Sequence, residues 1–140
     1  MTLSEPSSPG SMAIVTFAAE TVARIDPEAT LLEVADALNA GDVGTLVLGD
    51  DRPVGIISER DLVTALANRR LPETTTALEV ASTELVWCDA SATVAEVSEE
   101  MCERYVRHVL IEDEGRLVGI VSARDLLGVY AAADLEVEPS

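Results

Sequence analysis

The chain has 140 residues, 48% of them hydrophobic, which is enough for one compact domain with a core or for two small halves that share one. Its nine basic residues are all arginine and stand against 26 acidic ones, for a formal net charge of -17. A field of that sign repels nucleic acid and anionic membrane surfaces, whose recognition relies on many Lys and Arg contacts. No apolar run approaches the roughly 20 residues needed to span a bilayer, and Met1–Gly10 (MTLSEPSSPG) lacks the charged start and apolar stretch of a signal peptide. The expectation is a soluble, cytoplasmic protein with no nucleic-acid or membrane partner.

In chain order, the Ser- and Pro-rich segment 1–11 reads as a flexible N-terminal tail, and everything after it is written twice. DPEATLLEVADAL at Asp26–Leu38 aligns with DASATVAEVSEEM at Asp89–Met101, and VGTLVLGDDRPVGIISERDL at Val43–Leu62 aligns with VRHVLIEDEGRLVGIVSARDL at Val106–Leu126, where Gly115 is the one extra residue. The copies occupy 12–67 and 77–131, with a linker at 68–76 and an acidic C-terminal tail at 132–140.

Each copy carries the same predicted elements. A short apolar run, TVARI or ELVWC, predicts a strand. Thr30 to Glu33 and Thr93 to Glu96 are capping boxes that open helices, the first with Leu31, Val34, Ala35 and Leu38 on one face. TLVLGDDRPVGIIS and HVLIEDEGRLVGIVS each predict two strands joined by a tight acidic turn, after which Ser58 and Ser122 open a second helix. The order βαββα, given twice, predicts an α/β fold. Because one copy could hardly cover both faces of its own sheet, the two are expected to pack through their sheets as a pseudo-twofold pair.

Chemistry-bearing residues are few. Cys88, Cys102 and the single histidine, His108, match no zinc spacing and form no nucleophile–base set, so no metal site and no enzyme activity are expected. Both thiols are expected to be buried and reduced. No GxxxxGKS phosphate loop exists in a chain without lysine. The repeated phrase, GIISERDL at Gly55–Leu62 and GIVSARDL at Gly119–Leu126, has two readings. Ser-x-x-Asp at a helix start is a cap, in which the hydroxyl satisfies an orphan N–H and the carboxylate suits the positive helix end. The alternative is that the phrase holds something other than the chain itself.

The repeat order, its tandem occurrence and the phrase Gly-apolar-apolar-Ser-x-Arg-Asp-apolar resemble a pair of CBS (cystathionine-β-synthase-type) domains, the Bateman module, over about Ala13–Tyr130. That resemblance implies two βαββα repeats and a regulatory ligand held in the cleft between them: an adenine nucleotide (AMP, ADP or ATP) or S-adenosylmethionine. One site would use Ser58, Arg60 and Asp61 with Val86, Val106, Arg107 and His108 of the other copy. The second would use Ser122, Arg124 and Asp125 with Ala23, Val43, Gly44 and Thr45. In each, the aspartate would take the ribose hydroxyls and the serine would approach ribose or phosphate. Arg60 and Arg124 could reach phosphate or pair with acids such as Glu59 across a dimer interface. Arg107 and His108 are two potential cations for a phosphate where Gly44 and Thr45 carry no charge, so the Asp61 site is expected to prefer a phosphorylated ligand and the Asp125 site to be weaker, empty, or suited to a less charged ligand such as a nucleoside. The resemblance further implies a homodimer through Asp61–Ala67 and Asp125–Tyr130, and an unknown regulated partner. The competing reading is a ligand-free interaction module with an acidic surface.

Overall fold

The structure, a computed structural model, describes residues 9–18 and 22–137, with side chains for 10–18 and 22–131. Residues 1–8 and 138–140 of the expected tails, and Thr21 of the first expected strand, lie outside the described residues. The fold is α/β, with two sheets of three strands each. The chain divides into two compact units. One comprises the described residues of Thr21–Leu85 with Gly115–Leu117, and the other the described residues before Thr21 with Val86–Glu114 and the chain from Val118. They are called here the first-repeat and second-repeat units.

In the first-repeat unit, β1 (Arg24–Ile25) runs parallel to β2 (Thr45–Leu48), and β2 pairs antiparallel with β3 (Gly55–Ser58), Thr45 opposite Ser58 and Leu48 opposite Gly55. The crossover from β1 to β2 is helix α1 (Leu31–Gly41), opened by the expected capping box: the Glu33 N–H donates to Thr30 Oγ1 at 3.2 Å and the Thr30 N–H to Glu33 Oε1 at 2.8 Å. Helix α2 (Glu59–Ala67) follows β3 directly. Leu31, Val34 and Leu38 of α1 are buried with Leu46, Leu48 and Ile57 of the sheet, while Ala35 is only half-buried. Apolar residues at helical spacing on one side and β-branched or leucine residues on the other thus supply this core.

The second-repeat unit repeats the scheme. Strand β4 (Trp87–Asp89) lies parallel to β5 (His108–Asp113), with Trp87 opposite Leu110, and β5 neighbours β6 (Arg116–Ser122). Helix α4 (Val94–Arg104) has the same box, with the Glu96 N–H donating to Thr93 Oγ1 at 3.2 Å. Glu114 and Gly115, both at positive φ (53° and 80°), join β5 to β6 in a two-residue turn, the role of the extra glycine. Helix α5 (Ala123–Val137) runs on into the segment expected as an acidic tail.

Each unit is completed by a segment that precedes the other repeat's first strand. In the second-repeat unit, the Ile14 N–H donates to the Ala92 carbonyl at 2.8 Å and the Val94 N–H to the Met12 carbonyl at 2.9 Å, while Ala13 bridges to Thr93. In the first-repeat unit, the Ala77 N–H donates to the Ala29 carbonyl at 2.7 Å and the Leu31 N–H to the Thr75 carbonyl at 3.0 Å, while Thr76 bridges to Thr30. The two sets are the same bonds at aligned positions. Each supplies an acceptor for the first N–H of a helix, a group that helix geometry leaves without an internal partner. Thr75, inside the expected linker, is accordingly buried, and helix α3 (Ala77–Val80) follows it. Ile14 is 0% exposed and belongs to the core of Val86, Val94, Val97, Met101 and Ile111. Ile14→Ala is expected to cost about 3 kcal/mol of unfolding free energy, the usual range for removing a buried isoleucine down to its Cβ. The measurement is urea unfolding, and a loss below about 1 kcal/mol would show that the segment does not seat in this core.

Candidate functional site

The two readings of the repeated phrase meet at the junction between the last sheet strand and the helix after it. Ser58 ends β3 and caps α2: the Asp61 N–H donates to Ser58 Oγ at 3.2 Å, and the Ser58 N–H donates to Asp61 Oδ2 at 2.9 Å. The Ser58 hydroxyl lies 3.1 Å from the same carboxylate oxygen. In the second repeat the Asp125 N–H donates to Ser122 Oγ at 3.0 Å and the Ser122 N–H to Asp125 Oδ2 at 3.0 Å. Both phrases are therefore reciprocal helix caps, and in each the bonds to the aspartate fall on one oxygen, Oδ2.

Gly55 has a packing role. A Cβ there would lie 3.1 Å from the Ser82 carbonyl oxygen and 3.3 Å from Ala81 Cβ, because Ile56 and Ser82 exchange two backbone bonds of 2.9 Å alongside it.

Each unit gathers the phrase beside the start of its own second strand. In the first-repeat unit, the Glu59 N–H donates to the Gly44 carbonyl at 3.0 Å, which places Val43, Gly44 and Thr45 next to Ser58, Arg60 and Asp61. Ala23 lies just before β1, and its carbonyl accepts from the Val47 N–H at 2.9 Å. In the second-repeat unit, the Ala123 N–H donates to the Arg107 carbonyl at 2.8 Å, placing Val106, Arg107 and His108 next to Ser122, Arg124 and Asp125. Val86 is buried, and its carbonyl accepts from the Leu110 N–H at 2.8 Å. The sequence-predicted residues therefore form two edges, each drawn from both of the sites named above. Arg60, Arg107, Arg124 and Asp125 are exposed, whereas Ser58, Asp61, Ser122 and His108 are half-buried.

The edges differ in charge. The second carries Arg107, His108 and Arg124 around one aspartate, while the first carries Arg60 with Asp61 and Glu59. Glu59 was not singled out as a site residue, although its signal lies in the phrase itself: GIISERDL and GIVSARDL differ only at Ile57/Val121 and at Glu59/Ala123.

Elsewhere in the second-repeat unit, a groove of about 430 Å³ is lined by Cys88, Asp89, Ser91, Ala92, Glu96, Glu99, Glu100 and Glu103, none of them a predicted site residue. Its carboxylates make it unsuited to phosphate. The expectation of two buried thiols needs correction: Cys88 is half-buried and Cys102 is exposed. The face of α4 that enters the core is Val94, Val97 and Met101, and the next residue turns about 100° away from it. Burial, and then the charges of Glu100 and Glu96, push the Cys88 thiol above its ordinary pKa.

The decisive comparison is with protein families. The CBS domain model matches residues 17–68 and 77–132. The chain belongs to the CBS-domain family. Hypoxic response protein 1 of Mycobacterium tuberculosis is 38% identical over 100 residues, covering 69% of this chain and 70% of that protein. An uncharacterized protein of Methanopyrus kandleri is 30% identical over 118 residues, 80% of this chain, and this chain spans only 60% of its length. A CBS domain protein from Pyrobaculum aerophilum, solved in complex with AMP, is 28% identical with a TM-score of 0.73, covering 86% of this chain and 99% of that one. A crystal structure of hypoxic response protein I with two coordinated zinc ions is 32% identical, with a TM-score of 0.69 over 84% of this chain and 98% of that one. Among the described residues here, no group of three or more His, Cys, Asp or Glu side chains is placed to hold a metal ion.

Thiolate is the reactive form of cysteine, so a raised pKa slows reaction at a given pH. At pH 8, iodoacetamide should modify the exposed Cys102 first and the half-buried Cys88 more slowly. Glu100→Gln should restore only a minor part of that rate, since burial is the larger cause. Mass spectrometry of the time course tests this, and equal rates would contradict it.

Proposed function

We propose that this CBS pair is a regulatory module, not an enzyme, that binds an adenine nucleotide or a related adenosyl ligand and transmits its occupancy to a partner. The observation that carries this reading is the AMP complex of a 28%-identical relative, taken with a Ser–Asp cap beside a strand start in each repeat. The Asp61 site would combine Ser58, Arg60 and Asp61 with Val86, Val106, Arg107 and His108. The Asp125 site would combine Ser122, Arg124 and Asp125 with Ala23, Val43, Gly44 and Thr45. An aspartate bonded through Oδ2 alone has an oxygen to offer a ribose hydroxyl, and Arg107 would give a phosphate a charge-assisted hydrogen bond. Sensing of cellular adenylate state, in the cytoplasm, is the role such a module would serve. Among the described residues no helix is long and apolar enough to cross a membrane.

A ligand that binds only the native state must raise the melting temperature; at a hundred times its Kd it adds about 2.7 kcal/mol. AMP, ATP and S-adenosylmethionine at millimolar concentration are the panel. The expected result is a clear rise with AMP that is largely lost in Asp61→Ala and mostly kept in Asp125→Ala. Arg107→Ala should weaken AMP on the order of tenfold while leaving adenosine nearly unchanged. A flat response to all three would favour the ligand-free interaction module. That alternative draws support from the caps themselves, which account for Ser58 and Asp61 without any ligand.

Self-association is the second part of the proposal. Val63, 65% exposed, and Leu66 stand out on α2, as do Leu127, 71% exposed, and Tyr130 on α5, and apolar side chains at helical spacing on a surface suit a helix-mediated homodimer. Sedimentation at micromolar concentration should give a dimer, and Val63→Glu with Leu127→Glu a monomer; a wild-type monomer would refute it.

A further inference from the structure

The two sheet–helix edges share one backbone frame and invert its charge. The bond from the Glu59 N–H to the Gly44 carbonyl, 3.0 Å, is the counterpart of that from the Ala123 N–H to the Arg107 carbonyl, 2.8 Å. At the strand position of that frame the first repeat has glycine and the second arginine. At the helix position the first has glutamate and the second alanine. The exchange is physical as well as alphabetical, because the Glu59 carboxylate lies over the glycine: a Cβ built on Gly44 would come within 2.9 Å of Glu59 Oε1 and 3.7 Å of its Cδ. Where the second repeat has the Arg107 side chain leaving the strand, the first has the Glu59 carboxylate beside the corresponding Cβ position.

We infer that Glu59 is a specificity-determining residue that turns phosphate away from the Val43–Gly44–Thr45 edge and so restricts the site that uses it to an uncharged adenosyl ligand such as a nucleoside. The inference rests on the nucleotide-binding reading proposed above. Lack of a cation would merely leave a phosphate unrewarded there. A carboxylate over the strand start opposes it actively, because a like-charge contact adds a repulsion to the missing attraction. The alternative role for Glu59 is local, since an acid in the first turn favours the positive end of α2. That role predicts an effect on stability and none on the choice between charged and uncharged ligands.

The test is calorimetric titration of the full chain with AMP and with adenosine, for wild type, Glu59→Gln, Ala123→Glu and Glu59→Gln combined with Asp125→Ala. Glu59 is exposed, and glutamine keeps its shape, so folding should persist; circular dichroism and the melting temperature verify it. The expected result is that Glu59→Gln strengthens AMP at the weaker site on the order of tenfold, leaves adenosine within about twofold, and loses the gain at high salt, as screening of an exposed charge requires. The added Asp125→Ala should abolish the gain, and Ala123→Glu should weaken AMP at the stronger site. An unchanged ratio of AMP to adenosine affinity in a folded Glu59→Gln protein would overturn the inference while leaving the nucleotide reading intact. So would an equal loss for both ligands accompanied by a lower melting temperature, which would mark Glu59 as structural. Failure of both ligands to bind wild type and every variant would overturn the nucleotide reading and the inference with it.

Discussion

One short contact sets the geometry of everything that bears on function: the backbone bond from the first residue of the helix after the sheet to the residue just before the middle strand. It is made by Glu59 to Gly44 in one repeat and by Ala123 to Arg107 in the other. With the Ser–Asp cap beside it, this bond turns an antiparallel strand into a helix with no intervening loop and satisfies N–H groups that would otherwise be orphaned. A helix start held this firmly fixes where the side chains of the phrase stand. Whatever is bound there meets a preformed edge.

The cap and the ligand reading draw on the same atoms and do not conflict. A carboxylate that accepts backbone N–H bonds through one oxygen is oriented by them, and an oriented acceptor loses less freedom when a hydroxyl arrives. The phrase thus earns its place structurally in both repeats, and identical caps can still serve edges of opposite charge. In a chain with nine arginines against 26 acids, where a cation stands carries more information than in a balanced protein.

Much of the candidate site was legible in the sequence. Tandem repetition exposed the βαββα order, and the strands and helices follow it, including both capping boxes and the glycine turn at Gly115. Ser58, Asp61, Ser122 and Asp125 were marked as caps by their spacing, and as ligand groups only by the resemblance of the phrase to CBS domains. Less legible were the short first strands: TVARI yields only Arg24–Ile25, and ELVWC shifts to Trp87–Asp89, because a strand's ends are set by its pairing partner, not by its own composition. Cys102 was placed wrongly for a related reason, since its hydrophobic character said nothing about which way α4 faces.

The sequence by itself determined what depends on residues a few positions apart. Caps act between i and i+3, helix faces repeat every three or four residues, and turns need left-handed backbone at one or two positions. Only the tertiary structure decided which leading segment completes which core, with Met12–Ile14 serving α4 and Thr75–Ala77 serving α1. It alone also set the Glu59 carboxylate over Gly44, fifteen positions away along the chain. Such placements arise from strand pairing and core packing, which bring together groups whose separation in sequence holds no record of their meeting.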